Sequence, residues 1–167
     1  MIFFDAKFKQ NKARYTFQCL LTTLSVLLVL LLLDAMSNVA VIAALGASSF
    51  IVFTIPHAQV SRPRFCIGGY IIGVAAGGLC YWLAHIPWPD VLLPAYAYAD
   101  VICGALAVGL TVFGMVVTNT EHPPAASIAL GLVLGEWSLK TVVVVLVGIT
   151  MLSLLRFLLK PILRNLL

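Results

Sequence analysis

The stretch Thr118–Gly131, TNTEHPPAASIALG, departs most clearly from plain membrane-spanning sequence. It joins Glu121 and His122 to two consecutive prolines, and small residues then begin a short apolar segment, Ala125–Leu134. A helix needs about 20 apolar residues to cross a bilayer, so this segment shares its crossing with non-helical backbone or enters and leaves on one side. Irregular backbone at membrane depth must be covered by protein or line a water-filled cavity. We therefore expect residues 119–124 to lie within the membrane.

The rest of the chain has the composition of a membrane protein. Of its 167 residues, 62% are hydrophobic and only 10% are charged, whereas soluble domains carry about 25% charged residues. The net charge of +4 comes from basic residues at the ends of apolar runs, which membrane topology explains without a nucleic-acid partner. The four cysteines form no CxxC pair and no metal-binding spacing with histidine, so neither a metal site nor a cofactor is expected.

Six apolar segments predict an all-α transmembrane fold. Four are long enough for full spans: Thr16–Leu33, Phe65–Ala84, Asp100–Val117 and Leu139–Leu159. Two are short, rich in small residues or broken: Val39–Ile55 and Ala125–Leu134. The first segment follows basic residues as a signal peptide does, but its length favours a retained span. We divide the chain into a basic N-terminal segment, 1–15, one transmembrane domain, 16–159, and a basic tail, 160–167.

The positions of the basic residues favour six crossings with both termini in the cytoplasm. Six crossings put nine of the ten Lys and Arg residues on the side of the termini, with only Lys140 opposite. If the two short segments only dip into the membrane, four crossings remain, and Arg62 and Arg64 move to the other side. The usual cytoplasmic excess of Lys and Arg therefore favours six. The expected location is a bacterial inner membrane.

The domain divides into two halves of three segments each, residues 16–85 and 99–159. The middle segments carry Gly46-Ala47-Ser48 and Ala125-Ala126-Ser127, and a basic residue follows each serine at a similar distance. With three crossings per half, the halves would be inverted repeats, an architecture of secondary transporters with the site between the halves. Small residues are common in all membrane helices, so two unrelated halves remain an alternative.

The start of the fifth segment predicts an anion site. Proline suits the first turn of a helix because its missing N–H would be unpaired there. The amides of the next three residues would then be free, and with the helix dipole they would attract an anion. The candidate substrate-binding residues are His122, Pro123, Pro124, Ala125, Ala126 and Ser127, with Gly46, Ser48 and Ser49 from the second segment. A Pro-Pro pair that only starts a helix is the alternative.

Glu121 and His122 are the candidate proton-coupling residues. Ionisable groups at bilayer depth are costly and usually mark a pathway, and histidine titrates near neutral pH. The alternative is a solvated loop at the cytoplasmic surface. Arg62 and Arg64 could draw anions to the inner mouth, although topology alone also explains them.

Glycines recur every four residues in the third segment, at Gly69, Gly73 and Gly77. This spacing places them on one helix face and predicts a close packing seam. The same seam would suit association into a homo-oligomer.

The motif His122-Pro123-Pro124 followed by Ala125–Leu130 resembles the one that names the HPP integral-membrane family. Gly46-Ala47-Ser48 and the segment Arg62–Gly69 also resemble the pattern of that family, so the resemblance extends over about residues 16–157. It implies a small multispan protein, usually described with four spans and suspected of transport. Plastid and cyanobacterial members are associated with nitrite. Ala126 stands where members often have glycine, and six crossings depart from the four-span description.

These observations favour a transporter or facilitator of a small inorganic anion, with nitrite the best guess, rather than an enzyme. A cation channel or cation-linked transporter with Glu121 as ion ligand is the first alternative. An intramembrane enzyme using Glu121 and His122 lacks a nucleophile motif or cofactor fingerprint. A structural subunit without transport activity is the last alternative.

Overall fold

The computed structural model describes residues 10–33, 39–86, 98–135 and 137–166, and within these ranges its regular structure is entirely helical. The helices are α1 (Lys12–Leu33), α2 (Val39–Thr54), α3 (Pro63–Ala84), α4 (Ala99–Thr118), α5 (Pro124–Leu134) and α6 (Leu139–Leu159), with a short 3-10 helix at Gln59–Ser61. The predicted all-α fold is confirmed. Most of the predicted basic N-terminal segment, residues 1–9, lies outside the described residues.

Four helices, α1, α3, α4 and α6, have 20 to 22 residues each. At about 1.5 Å per residue they are about 30 Å long, which matches the hydrocarbon thickness of a bilayer. All four are apolar enough to cross a membrane. The remaining two are shorter, with 16 residues in α2 and 11 in α5. The outer surface of the bundle is covered by large apolar side chains such as Phe113 and Phe157, as expected for a protein in contact with lipid.

Both α3 and α5 begin with a proline. The structure starts α3 at Pro63 and α5 at Pro124, slightly earlier than the apolar patterns predicted. The reason is the first-turn preference of proline, which needs no hydrogen bond for its nitrogen there.

Helix α3 is the centre of the bundle and packs against α4, α5 and α6. Its glycines face α5 so closely that side chains would not fit. A Cβ atom on Gly73 would lie 2.5 Å from the carbonyl oxygen of Ala125, and one on Gly77 would lie 2.9 Å from the Cα of Ala129. The predicted glycine seam is therefore a packing seam within the chain. A step of four residues along α3, from Gly73 to Gly77, corresponds to a step of four residues along α5, from Ala125 to Ala129. The two helices therefore run in the same direction.

Contacts between helix ends show that the six helices alternate in direction. The start of α1 meets the ends of α2 and α6, since the Gln18 amide donates to the carbonyl oxygens of both Phe53 and Arg164. The end of α4 meets the start of α3, where the Arg64 side chain donates to the Thr118 carbonyl oxygen. At the opposite end, the start of α2 meets the end of α5 through Ala40 and Gly131.

One end of the bundle thus carries both ends of the described chain and nearly all of its positive charge. We call this the basic end; its Lys and Arg residues are Lys12, Arg14, Arg62, Arg64, Arg156, Lys160 and Arg164. Among the described residues, the opposite end carries Lys140 and Asp100.

Candidate functional site

The chain between α4 and α5, residues 119–123, turns back into the bundle instead of staying at the basic end. Asn119 ends α4 in the left-handed conformation, with φ 52° and ψ 55°, a conformation that asparagine tolerates better than most residues. The segment then lies against the first turns of α3, where a Cβ on Gly68 would come within 2.8 Å of Thr120. The glycines of α3 therefore make the space that this segment occupies.

Helix α5 consequently starts below the level at which α3 starts. His122 lies beside Gly69, and a Cβ on that glycine would be 2.9 Å from the Cβ of His122. Gly69 comes six residues after Pro63, which places this level about 9 Å along α3. Non-helical backbone therefore accompanies the short helix α5, as its length predicted.

The side chain of His122 is fully buried and belongs to a polar cluster contributed by three parts of the fold. Ser48 of α2 lies 2.9 Å from His122 Nε2 and 2.8 Å from the Tyr70 hydroxyl of α3, measured from its Oγ. All three residues have 0% exposure. On its other side, His122 Nδ1 lies 3.2 Å from the carbonyl oxygen of Val60. We call Ser48, Tyr70 and His122 the polar cluster.

The partners of His122 fix the direction of every hydrogen bond in the polar cluster. A carbonyl oxygen only accepts, so Nδ1 carries a proton and donates to Val60. In a neutral ring Nε2 then accepts from Ser48, which leaves the Ser48 oxygen to accept from the Tyr70 hydroxyl. Burial favours this neutral ring, because a charged imidazole is costly away from water. The result is a one-way chain from Tyr70 through Ser48 and His122 to Val60.

Glu121, the other candidate for proton coupling, does not join the polar cluster. It is exposed, and it is not among the hydrogen-bond partners of His122. The backbone N–H of His122 donates to the sulfur of Met115 at 3.4 Å. Although they are adjacent in the sequence, Glu121 is thus a surface residue and His122 is a core residue.

The amides at the start of α5 are not free, so this part of the sequence-based expectation is wrong. The N–H of Ala125 donates to the His122 carbonyl at 2.9 Å, and that of Ala126 donates to the Pro123 carbonyl at 3.1 Å. The reason is that Pro123 is itself helical, with φ −51° and ψ −38°. The helical turn therefore starts one residue early and uses both donors.

Three of the predicted site residues, Pro123, Pro124 and Ser127, line an open groove between α2 and α5. Its volume is about 480 Å³, and it is lined by Ala47, Phe50, Ile51, Pro123, Pro124 and Ser127. The exposed Ser127 contributes a hydroxyl for which the described part of the chain records no hydrogen bond. Gly46 is exposed beside the groove, with open space where a side chain would be. Ser49 is turned away from it, since its hydroxyl donates to the Gly46 carbonyl at 2.7 Å.

Arg62 and Arg64 are exposed at the basic end, beside the point where residues 119–123 enter the bundle. The sequence analysis missed two further polar side chains, Tyr70 and Arg156. Arg156 is 4% exposed, and its Nε donates to the Pro56 carbonyl oxygen at 3.0 Å. Its signal in the sequence was an arginine inside the last apolar run. Across the described ranges, no three His, Cys, Asp or Glu side chains are grouped in a way that could hold a metal ion.

Comparisons with known proteins agree with the motif. The family described as "HPP, transmembrane region" matches residues 8–165. A transmembrane protein of Dictyostelium discoideum is 33% identical over 103 residues, which cover 62% of this chain and 33% of the relative. A second transmembrane protein of the same organism is 28% identical over 93 residues, 56% of this chain and 27% of the relative.

The matches therefore span about a third or less of the length of these curated relatives. No solved structure gives a significant match. Since the family pattern extends over nearly the whole chain, the protein belongs to the HPP transmembrane family.

Proposed function

We propose that this protein is a transporter or facilitator of a small inorganic anion, coupled to proton movement through the polar cluster. The observation that carries the proposal is the fully buried chain of hydrogen bonds from Tyr70 through Ser48 to His122. His122 belongs to the segment that turns back into the bundle. Buried polar groups inside a membrane protein are costly and usually mark a pathway or a relay.

The chain of hydrogen bonds suits a relay because it can reverse. If His122 gains a proton, Nε2 becomes a donor to Ser48, and Ser48 then donates to Tyr70. Both directions keep the bonds of Ser48 to Tyr70 and His122, but in the second the Tyr70 O–H no longer has its acceptor in the polar cluster, so that proton is the one to be passed on. We assign proton coupling to His122 with Ser48 and Tyr70, and we leave the exposed Glu121 outside it.

Helix packing supports the inverted-repeat architecture expected of such a transporter. The first half contains a long, a short and a long helix, and so does the second. The pairs that pack are α1–α2, α1–α6, α2–α5, α2–α6, α3–α4, α3–α5, α3–α6 and α4–α5. Exchanging α1 with α4, α2 with α5 and α3 with α6 returns the same set of pairs. Since helix directions alternate, the two halves are oppositely oriented, as in inverted repeats.

The groove between α2 and α5 is our candidate for the solute. Helix α2 is the middle helix of the first half and α5 is the middle helix of the second. In transporters built from inverted repeats, the substrate site lies at the interface between the halves. The groove is mostly apolar with a single exposed hydroxyl, Ser127, so it suits a solute of few atoms held by one or two hydrogen bonds. The arginines of the basic end, Arg62 and Arg64, would raise the local concentration of anions. Nitrite is the first anion to test, and this choice rests on the resemblance of the motif alone.

The test is uptake of nitrite by proteoliposomes, with and without a pH gradient. We expect uptake above that of empty liposomes, and faster uptake when the gradient is applied. Ser127→Ala removes the hydroxyl and keeps the rest of the side chain, and binding should weaken about 10- to 100-fold, the usual effect of losing a hydrogen bond to a charged partner. Ser49→Ala is the matched control, because that hydroxyl bonds only to its own helix.

Tyr70→Phe separates the relay from solute binding. It removes the terminal hydroxyl of the chain but keeps the ring that fills the core. Downhill nitrite flux should persist, while its response to the pH gradient should disappear. A variant that keeps the full response would exclude the relay. Absence of nitrite uptake by the unmodified protein, with or without the gradient, would exclude nitrite transport.

A further inference from the structure

A second cavity lies at the basic end, on the lipid-facing side of α6. It has a volume of about 490 Å³ and is lined by His57, Phe157, Lys160, Pro161, Leu163 and Arg164. Two of these residues are cations, and no acidic side chain is among them. The cavity therefore offers paired positive charge beside an apolar wall.

Hydrogen bonds hold the chain around this cavity in place. The side-chain amide of Gln18 donates to the Arg164 carbonyl at 2.7 Å, and the Leu166 N–H donates to the Thr54 carbonyl at 2.8 Å. The ring of His57 bonds through Nε2 to the Leu163 carbonyl at 3.1 Å, which leaves Nδ1 as its other polar atom. The cations are thus presented by a fixed segment packed against α1 and α2, not by a loose tail.

A second, apolar groove of about 220 Å³ lies next to this cavity on the outside of the bundle. It is lined by Pro63, Ile67, Thr150, Ser153, Leu154 and Phe157. Phe157 lines both spaces, so the two are neighbours with this side chain as their common wall. On α6, Thr150, Leu154 and Phe157 recur at intervals of three or four residues and share one face. Beyond the end of the helix at Leu159, Lys160 and Arg164 line the cavity, so this outer face changes from apolar to cationic toward the basic end.

We infer that this face binds an anionic phospholipid. The phosphate lies against Lys160 and Arg164, and an acyl chain follows the groove toward Ile67 and Leu154. Basic pockets next to membrane helices recognise anionic head groups in this way. A free phosphate would use the same cations, but it would leave the adjoining groove empty, so the groove favours a lipid. This site is separate from the polar cluster and does not depend on the proposed transport function.

The test is a titration of the detergent-solubilised protein by native mass spectrometry. The lipids are phosphatidylglycerol and phosphatidylcholine with identical acyl chains, and glycerol 3-phosphate provides the head-group chemistry without a chain. We expect tighter binding of phosphatidylglycerol than of phosphatidylcholine. The double variant Lys160→Gln with Arg164→Gln should weaken phosphatidylglycerol about 25-fold, since each basic residue near an anionic surface contributes about fivefold. Lys140→Gln, at the opposite end, should change nothing.

Leu154→Trp tests the groove, because the larger ring would occupy it while the cations stay. This lipid-facing residue is 56% exposed, so its replacement should leave the fold intact. We expect weaker phosphatidylglycerol binding, and no displacement of the lipid by glycerol 3-phosphate. Equal binding of the two lipids, or an unchanged affinity of the double variant, would overturn the inference. Displacement by glycerol 3-phosphate with no effect of Leu154→Trp would also overturn it, in favour of a soluble phosphate site.

Discussion

At the scale of single residues, Ser48 is the side chain on which the polar cluster depends. It stands between the Tyr70 hydroxyl and His122 Nε2, at 2.8 and 2.9 Å. Ser48→Ala would leave the Tyr70 hydroxyl and His122 Nε2 buried without a partner, although Nδ1 keeps its bond to Val60, and an unsatisfied buried group costs about 1–3 kcal/mol. We expect the free energy of unfolding in detergent micelles to fall by about 2 kcal/mol or more. Denaturant titration followed by circular dichroism measures it.

The neighbouring Ser49 provides the control for this prediction. Its hydroxyl donates to a carbonyl of its own helix, so Ser49→Ala removes a bond worth only about 0.5–1.5 kcal/mol and strands no second side chain. Ser48→Ala should therefore be the more destabilising of the two. If both variants unfold at the same denaturant concentration, the polar cluster has no special role in stability.

The residues of the polar cluster also show which functional side chains could be predicted from the sequence and which could not. The motif indicated His122, because an ionisable residue is unusual beside an apolar segment, and the run Gly46-Ala47-Ser48 indicated Ser48, because it resembles Ala125-Ala126-Ser127. Tyr70 was missed because a single tyrosine in a glycine-rich helix carries no periodic signal. Its role depends on α2 and α3 placing two hydroxyls within hydrogen-bond distance, which is a property of the folded chain. Glu121 is exposed and His122 is buried for a related reason, since the side chains of adjacent residues in an irregular segment need not point in the same direction.

At the scale of elements, the glycine seam of α3 positions α5 and the segment that precedes it. Gly73→Ala would bring a methyl group within 2.5 Å of a backbone oxygen, that of Ala125, which cannot rotate away. We expect α5 to be displaced at a cost of about 1–3 kcal/mol, the usual range for overpacking. The measurements are the thermal midpoint in micelles and the fraction of monodisperse protein on size exclusion. Both should fall.

Gly46→Ala is the matched control, because α2 leaves open space where that methyl group would lie. Alanine also favours a helix more than glycine does. This variant should therefore unfold no earlier than the unmodified protein. Equal destabilisation by both changes would mean that the seam is not closely packed.

The helices themselves could be predicted from hydrophobic run lengths, and the glycine seam from its four-residue period. The hydrogen bonds of the amides at the start of α5 were not predicted, because the prediction assumed that the helix begins after Pro124. Whether proline adopts a helical or an extended conformation depends on its surroundings. Here Pro123 is helical, and the two carbonyls before α5 are already aligned with the amides of Ala125 and Ala126. In the proposed function, recognition of an anion would therefore fall to side chains such as Ser127.

At the scale of the whole molecule, the described helices alternate in direction and the positive charge lies at one end, and on this basis we propose six crossings with the basic end in the cytoplasm. The connection between α2 and α3 lies at that end, since Arg156 of α6 donates to the carbonyl of Pro56 and His57 bonds to Leu163. The charge pattern of the sequence predicts the same arrangement. In the described ranges, seven of the eight Lys and Arg residues lie at the basic end.

Cysteine labelling in intact cells tests this topology. The variants Gln10→Cys, Arg62→Cys and Lys140→Cys are made in a background without the native cysteines, and each replaces an exposed residue. With six crossings, residues 10 and 62 share the cytoplasmic side, and only residue 140 reacts with a reagent that cannot cross the membrane. With four crossings, residues 62 and 140 lie on the same side and react together. Joint labelling of these two positions would mean that α2 and α5 do not cross, and it would remove the basis for two inverted halves of three spans each.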